Sequence, residues 1–142
     1  QQPTIQCTFH KHSYISNNRQ FLLQIWDIAG TENYQSLAPQ FLRRADVAVV
    51  MFDASTDTGL KESLYWVDLV LKTKQIPIFM CGTKGDRLQK CGTIQQIYSE
   101  MRNRVCGVLM SSARLDQGIT EVFDEVLKLF LVDNGQKQVV EQ

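Results

Sequence analysis

Little in this chain suggests a strongly charged or strongly apolar partner. Lys plus Arg and Asp plus Glu number 15 each, so the formal net charge is zero. No basic excess therefore seeks nucleic acid or an anionic membrane surface. The longest apolar run, Val47 to Phe52, falls far short of the ~20 residues a membrane-spanning helix needs. There is no secretory signal pattern, internal repeat, low-complexity tract or linker. Cysteine is sparse: Cys7, Cys81, Cys91 and Cys106 form no CxxC pair, which argues against a zinc site or a disulfide framework. Cys81 and Cys106 lie in or beside apolar segments, so they read as reduced, buried thiols of a cytosolic protein. The chain opens at Gln1 without a methionine, and no cysteine follows Cys106 to carry a lipid. Both ends read as cut.

What is present suits one domain. The 142 residues can bury a real core but not two. Thr8 to Ile15 and Gln20 to Ile28 are strand-like and flank Ser16-Asn17-Asn18-Arg19, whose asparagines tolerate positive φ, so the spacing predicts an antiparallel hairpin. Val47 to Asp53 and Ile76 to Gly82 are continuous apolar runs, as in parallel strands buried on both faces. Between them Leu60, Leu64, Val67 and Leu71 recur at helical spacing. Ile94, Ile97, Tyr98 and Met101 make a weaker helical stripe, Gly107 to Met110 a short strand, and Ile119, Val122, Phe123, Val126 and Phe130 a closing amphipathic helix. Strands alternating with helices predict a parallel α/β sheet, whose chemistry lies beyond the carboxyl ends of its strands.

Three strand ends carry polar loops. Trp26-Asp27-Ile28-Ala29-Gly30 places an acid where a magnesium ion could be held and a glycine whose N–H can approach a terminal phosphate. Thr83-Lys84-Gly85-Asp86 offers a carboxylate for two N–H groups of a guanine edge and a lysine stem to lie along the ring. Ser111-Ser112-Ala113-Arg114 is a tight turn able to expose a backbone N–H to the base oxygen. Each is weak alone; in this order, each at a strand end, they are specific. Read without that context, Asp27 and Asp86 would be solvated loop acids and Trp26 a core-edge residue. His10 and His12 share a strand face without an evident third ligand and read as solvated, and Arg43 and Arg44 read as surface charges.

The combination resembles the Ras superfamily of small GTPases. WDIAGTENY resembles their WDTAGQE segment, TKGD their N/TKxD and SSAR their SAK. Pro3-Thr4-Ile5 before Thr8-Phe9 resembles the end of the first switch, and Tyr34 to Ala45 is similar to Rab proteins, especially their early-endosome branch. The likeness covers Pro3 to about Phe130. It implies a three-layer P-loop NTPase fold of the small G-protein type, mostly parallel with one antiparallel hairpin, over residues 1–132, with 133–142 a tail. It also implies roles. Thr4 and Asp27 would hold Mg2+, Asp27 through water, and Ala29 and Gly30 would meet the phosphates. Thr83, Lys84, Asp86, Ser112, Ala113 and Arg114 would bind the guanine of GTP or GDP. Trp26, Phe9 and Tyr34 would face effectors, and exchange factors and GTPase-activating proteins would meet the two switches. A monomer on the cytosolic face of endomembranes, held there by a lipidated tail, would follow for the parent.

Two departures qualify this. No Gly-Lys dipeptide occurs anywhere in the chain, so the GxxxxGK[ST] loop, with the strand before it and the helix after it, is lacking. That leaves two apolar strand edges unpaired and predicts feeble GTP binding by a fragment. Thr31 stands where the family places the glutamine that orients the attacking water, which implies slow hydrolysis even in an intact parent. Ile28 for threonine is a mild change. A GTP-hydrolysing switch that recruits membrane-traffic effectors is the leading expectation; a non-catalytic interaction module is the alternative.

Overall fold

Adjacent asparagines make the first element possible. Asn17 and Asn18 both adopt positive φ, 52° and 63°, as the tight turn of a right-twisted hairpin requires. They join strand β1 (Cys7–Ser16) to β2 (Arg19–Ile28), paired antiparallel from Cys7↔Ile28 to Ser16↔Arg19. The turn is two residues tighter than the sequence suggested, so both strands gain a residue there. The computed structural model describes residues 7–28, 38–87 and 89–133. The chain divides into two units, Gln1–Arg44 and Ala45–Gln142.

In the first unit a short helix, α1 (Ala38–Leu42), follows the hairpin, with Ala38 and Leu42 buried. Five residues hold too few turns for periodicity to reveal them, and the sequence reading does not contain this helix. A two-stranded hairpin is marginal by itself. Here aromatic contacts reinforce it: the Trp26 ring lies 4.6 Å from Phe9, its cross-strand partner, and 5.5 Å from Phe41 of α1.

The second unit holds a parallel sheet in the order β3 (Ala48–Asp53), β4 (Ile78–Thr83), β5 (Gly107–Met110). Pro77 lacks an N–H and precedes β4, which begins two residues later than its apolar run. β4 is buried from Ile78 to Gly82, as a central strand should be. β3 departs from that expectation. Ala48, Val50 and Phe52 are buried but Met51 is 51% exposed, so only one face is closed throughout. An unbroken apolar run cannot show which of its faces is covered.

Helix α2 (Gly59–Thr73) packs on β3 and spans about four turns. Its buried face is Gly59, Ser63, Val67 and Val70, while Leu71 is 47% exposed. The sequence stripe Leu60, Leu64, Val67 and Leu71 therefore predicts the helix, and of its four members only Val67 lies on the buried face. Small residues win the contact because the helix start comes close to the backbone carbonyl of Asp53, where a side chain on Gly59 would collide. Ser63 is tolerated there because its hydroxyl donates to the Leu60 carbonyl at 2.6 Å.

Helix α3 (Ile94–Met101) packs on β5 and is started by a reciprocal cap. Gln96 N–H donates to Thr93 Oγ1 at 3.2 Å, and Thr93 N–H to Gln96 Oε1 at 2.8 Å. Among the described side chains of the closing helix α4 (Ile119–Asp133), Leu127 is the most deeply buried, a position outside the predicted stripe. Ile78, Met80, Ile97, Val67 and Cys81 form the driest part of the core.

Among the described cysteines, Cys81, Cys91 and Cys106 are all free thiols. Cys81 is buried as expected, and burial pushes its thiol above the ordinary range. Cys106 is exposed, against expectation. Its backbone N–H bonds the Ile78 carbonyl at 2.8 Å in the turn before β5, and its side chain stays outside. No described helix is long and apolar enough to cross a membrane.

Candidate functional site

Asp53, Thr83 and Met110 end the three parallel strands, and the loops beyond them contact one another. Beyond β4, Lys84 takes a left-handed φ of 56°. That turn lets Gly85 N–H reach the Ser111 carbonyl at 2.9 Å, while Ser111 N–H returns to the Gly82 carbonyl at 2.8 Å. The TKGD and SSAR segments are thus sewn together through the backbone.

Side chains complete the join. Ser112 Oγ donates to Asp86 Oδ1 at 2.6 Å, and Arg114 lies 3.8 Å from Oδ2. The Ser112 bond is the main reason the Asp86 carboxyl is held below its usual range, with weaker help from Arg114 and Arg87. Asp86 is 9% exposed in its side chain, so it is shielded yet ionised and oriented. An ionised carboxylate has about four lone-pair sites, so one serine bond leaves acceptors for two more N–H donors. The Ser112 hydroxyl in turn accepts the Leu115 N–H at 3.2 Å. The backbone of Ser112 exchanges two hydrogen bonds with Gln117, of 2.9 and 3.0 Å. Positive φ at Asp116 (52°) and Gly118 (77°) closes this turn. Ala113 stays exposed at its rim.

Lys84 has a partner on the neighbouring strand. Its ammonium meets Asp53 Oδ2 at 2.8 Å. Thr83 does brace the loop: its hydroxyl donates to the Phe52 carbonyl at 3.2 Å, and its own carbonyl accepts Ala54 N–H at 3.1 Å. Arg114 reaches only toward Asp86, and its side chain is 80% exposed.

The other predicted residues fall elsewhere. Asp27 is exposed near the end of β2, opposite Thr8 in the first unit. Thr4, Ala29, Gly30, Thr31 and Tyr34 lie outside the described residues. Among the described residues no group of three or more His, Cys, Asp or Glu comes together to hold a metal ion. Asp27 by itself is a single carboxylate, whereas the Lys84–Asp86 and Ser112–Arg114 loops meet around the Asp86 carboxylate. His10 and His12 are exposed, in line with a solvated strand face.

Two participants are missing from the sequence reading. Asp53 has the same signature that singled out Asp27, an acid ending an apolar strand, and could have been found by it. Phe41 lies within the Rab-like segment Tyr34 to Ala45, but only the fold shows it against Trp26.

The pattern of the Ras family matches residues 1–131. The chain belongs to the Ras family. Within it the chain is Rab-like. It is 28% identical to the Ras-related protein Rab-24 of Dictyostelium discoideum, over 96% of this chain and 71% of that protein. It is 28% identical to the Ras-related protein Rab-5A of the same organism, over 90% of this chain and 65% of that protein. A Ras and EF-hand domain-containing protein homolog of Caenorhabditis briggsae is 31% identical over 80% of this chain but only 18% of its own length. The chain thus corresponds to under a fifth of the Ras and EF-hand proteins it matches. Guanine nucleotide binding and GTP hydrolysis are properties of this family, and the hairpin and the parallel sheet accord with the small-GTPase fold.

Proposed function

We propose that these residues form the base-reading part of a Rab-like GTP switch that recruits effectors in membrane traffic. The observation that carries this reading is the 2.6 Å bond from Ser112 to Asp86, which locks the two base-recognition loops together with an ionised acid between them. Asp86 accepts the two N–H groups of guanine, Ala113 offers its backbone N–H to the base oxygen, and Lys84 lines the ring. A guanine edge satisfies this set and an adenine edge does not, because adenine presents an acceptor where guanine presents N1–H.

Retention of a triphosphate is a separate matter. It needs a glycine-lined cup of amides with a lysine at its rim, and no Gly-Lys dipeptide is present to supply one. These 142 residues therefore bind guanine weakly and hold phosphates poorly, and Thr31 slows hydrolysis further in any longer product. Thr4 and Asp27 stand at the positions that match the family's magnesium ligands. Domain limits of 1–132, a monomeric state and anchorage by a lipidated tail belong to the same proposal.

The alternative is a non-catalytic module that binds partners regardless of nucleotide. The Phe9–Trp26–Phe41 cluster favours it, since Phe9 is 39% exposed and needs no phosphate to be displayed. Titration of the 142-residue chain with guanosine and adenosine separates the two. A preference for guanosine supports the switch reading, and indifference to the base supports the module.

A further inference from the structure

The lysine of the base-recognition loop is anchored from a neighbouring strand. Lys84 Nζ lies 2.8 Å from Asp53 Oδ2, at the end of β3. The other oxygen of that carboxylate is occupied. Asp53 Oδ1 accepts the Ser55 N–H at 2.9 Å and the Ser55 hydroxyl at 2.6 Å. With Oδ1 pinned, Oδ2 has a fixed direction, and that direction leads to Lys84.

The strand ends that carry the pair are themselves rigid. Asp53 stands opposite Thr83 in the parallel register, and Ala54 N–H and the Thr83 hydroxyl each cross between the two strands. Lys84 follows immediately with its left-handed backbone. The distance between the Lys84 backbone and its ammonium is therefore set at both ends.

We propose that Asp53 is a positioning residue for base recognition: it fixes the Lys84 ammonium so that the lysine stem already lies extended where a guanine ring would stack. The inference rests on reading the TKGD and SSAR loops as guanine-binding. Stability alone does not account for the pair, because the lysine is 50% exposed in its side chain and ion pairs this open contribute modestly to folding. Ordering the lysine before the base arrives does have a binding consequence. A long side chain that must be immobilised on binding costs affinity, and one already held does not. The carboxylate is available throughout the working range: the Lys84 contact first, then the two Ser55 bonds, lower its pKa to about 2.

The test is a guanosine titration of the isotope-labelled full chain, followed through the amide signals of Lys84 to Asp86 and Ser111 to Arg114, with adenosine as control. Asp53→Asn is expected to weaken guanosine roughly three- to tenfold, the range for one immobilised long side chain. Lys84→Met keeps most of the stem and removes the ammonium; it is expected to weaken guanosine to a similar degree. Asp53→Asn added to Lys84→Met should cost nothing more. Asp53→Glu should recover part of the loss. Unchanged guanosine affinity in Asp53→Asn or in Lys84→Met, with the wild type preferring guanosine over adenosine, overturns the inference and leaves the base site standing. Equal losses that simply add in the double variant also overturn it. A wild type without preference for guanosine overturns the base-site reading, and the inference falls with it.

Discussion

Ser112 and Asp86, separated by 26 positions in sequence, meet through a 2.6 Å hydrogen bond that ties the loop after β5 to the loop after β4. Ser112 is 2% exposed, so its hydroxyl has little recourse to water. Ser112→Ala should let the Asp86 carboxyl rise toward its ordinary 3.8, because the largest cause of its lowering is removed. Carboxyl-carbon NMR across pH 2–6 reads this directly. Guanosine affinity should fall by about tenfold as the acid loses its orientation. An unmoved titration curve would mean that the bond does not form in solution.

Acid should act on the fold through the same loops. Asp53 is lowered from 3.8 to about 2 by Lys84 and Ser55. A carboxylate with a lowered pKa stabilises the folded state above its unfolded value, and that contribution is lost as pH falls through the folded one. The loss from Asp53 should therefore appear between pH 3.8 and about 2, with pH 5 to 7 unaffected. Urea denaturation at a series of pH values should show a shallower acid decline in Asp53→Asn than in the wild type. Identical declines would deny the ion pair.

The turn that places Ser112 depends on a glycine further on. Gly118 has φ of 77°, and a Cβ there would press on the backbone of Met110 and Ser111. Gly118→Ala should cost about 1–3 kcal/mol from the left-handed backbone strain alone, with more from the collision. Gly92 has φ of 100° but faces only the Gln96 side chain, which can move aside. Thermal melting of the two alanine variants should rank Gly118→Ala clearly below Gly92→Ala. Equal melting temperatures would remove the backbone contact from the account.

In the first unit the aromatic contacts carry the hairpin. Trp26→Ala removes the ring that touches both Phe9 and Phe41, at a cost of about 1–3 kcal/mol for a half-buried aromatic. Amide exchange should then speed up across 7–28 and 38–42, while β3, β4 and β5 keep their protection. Faster exchange in all five strands would show that the two units unfold together.

The sequence announces what local chemistry determines. Asn17-Asn18 declares the hairpin because few other residues accept positive φ in succession. Burial across elements was less legible. Leu60, Leu64 and Leu71 outweigh Gly59, Ser63 and Val70 on any hydropathy scale, yet closeness to β3 selects the small residues. Apolarity alone could not tell that Met51 faces outward or that Cys106 sits in a turn. In the candidate site, Lys84, Asp86 and Ser112 were identifiable from motifs. Their partners follow from strand register: Asp53 stands beside Thr83 only because β3 and β4 pair in parallel.

The measurement closest to the central claim is a parallel titration of the unaltered chain with guanosine, adenosine and GDP. The account predicts that guanosine binds at least about tenfold more tightly than adenosine, because only guanine matches the donors that Asp86 accepts. It predicts that GDP gains less than about threefold over guanosine, because no Gly-Lys dipeptide supplies a phosphate loop. GDP binding at about micromolar affinity or tighter, or equal binding of the two nucleosides, would contradict it.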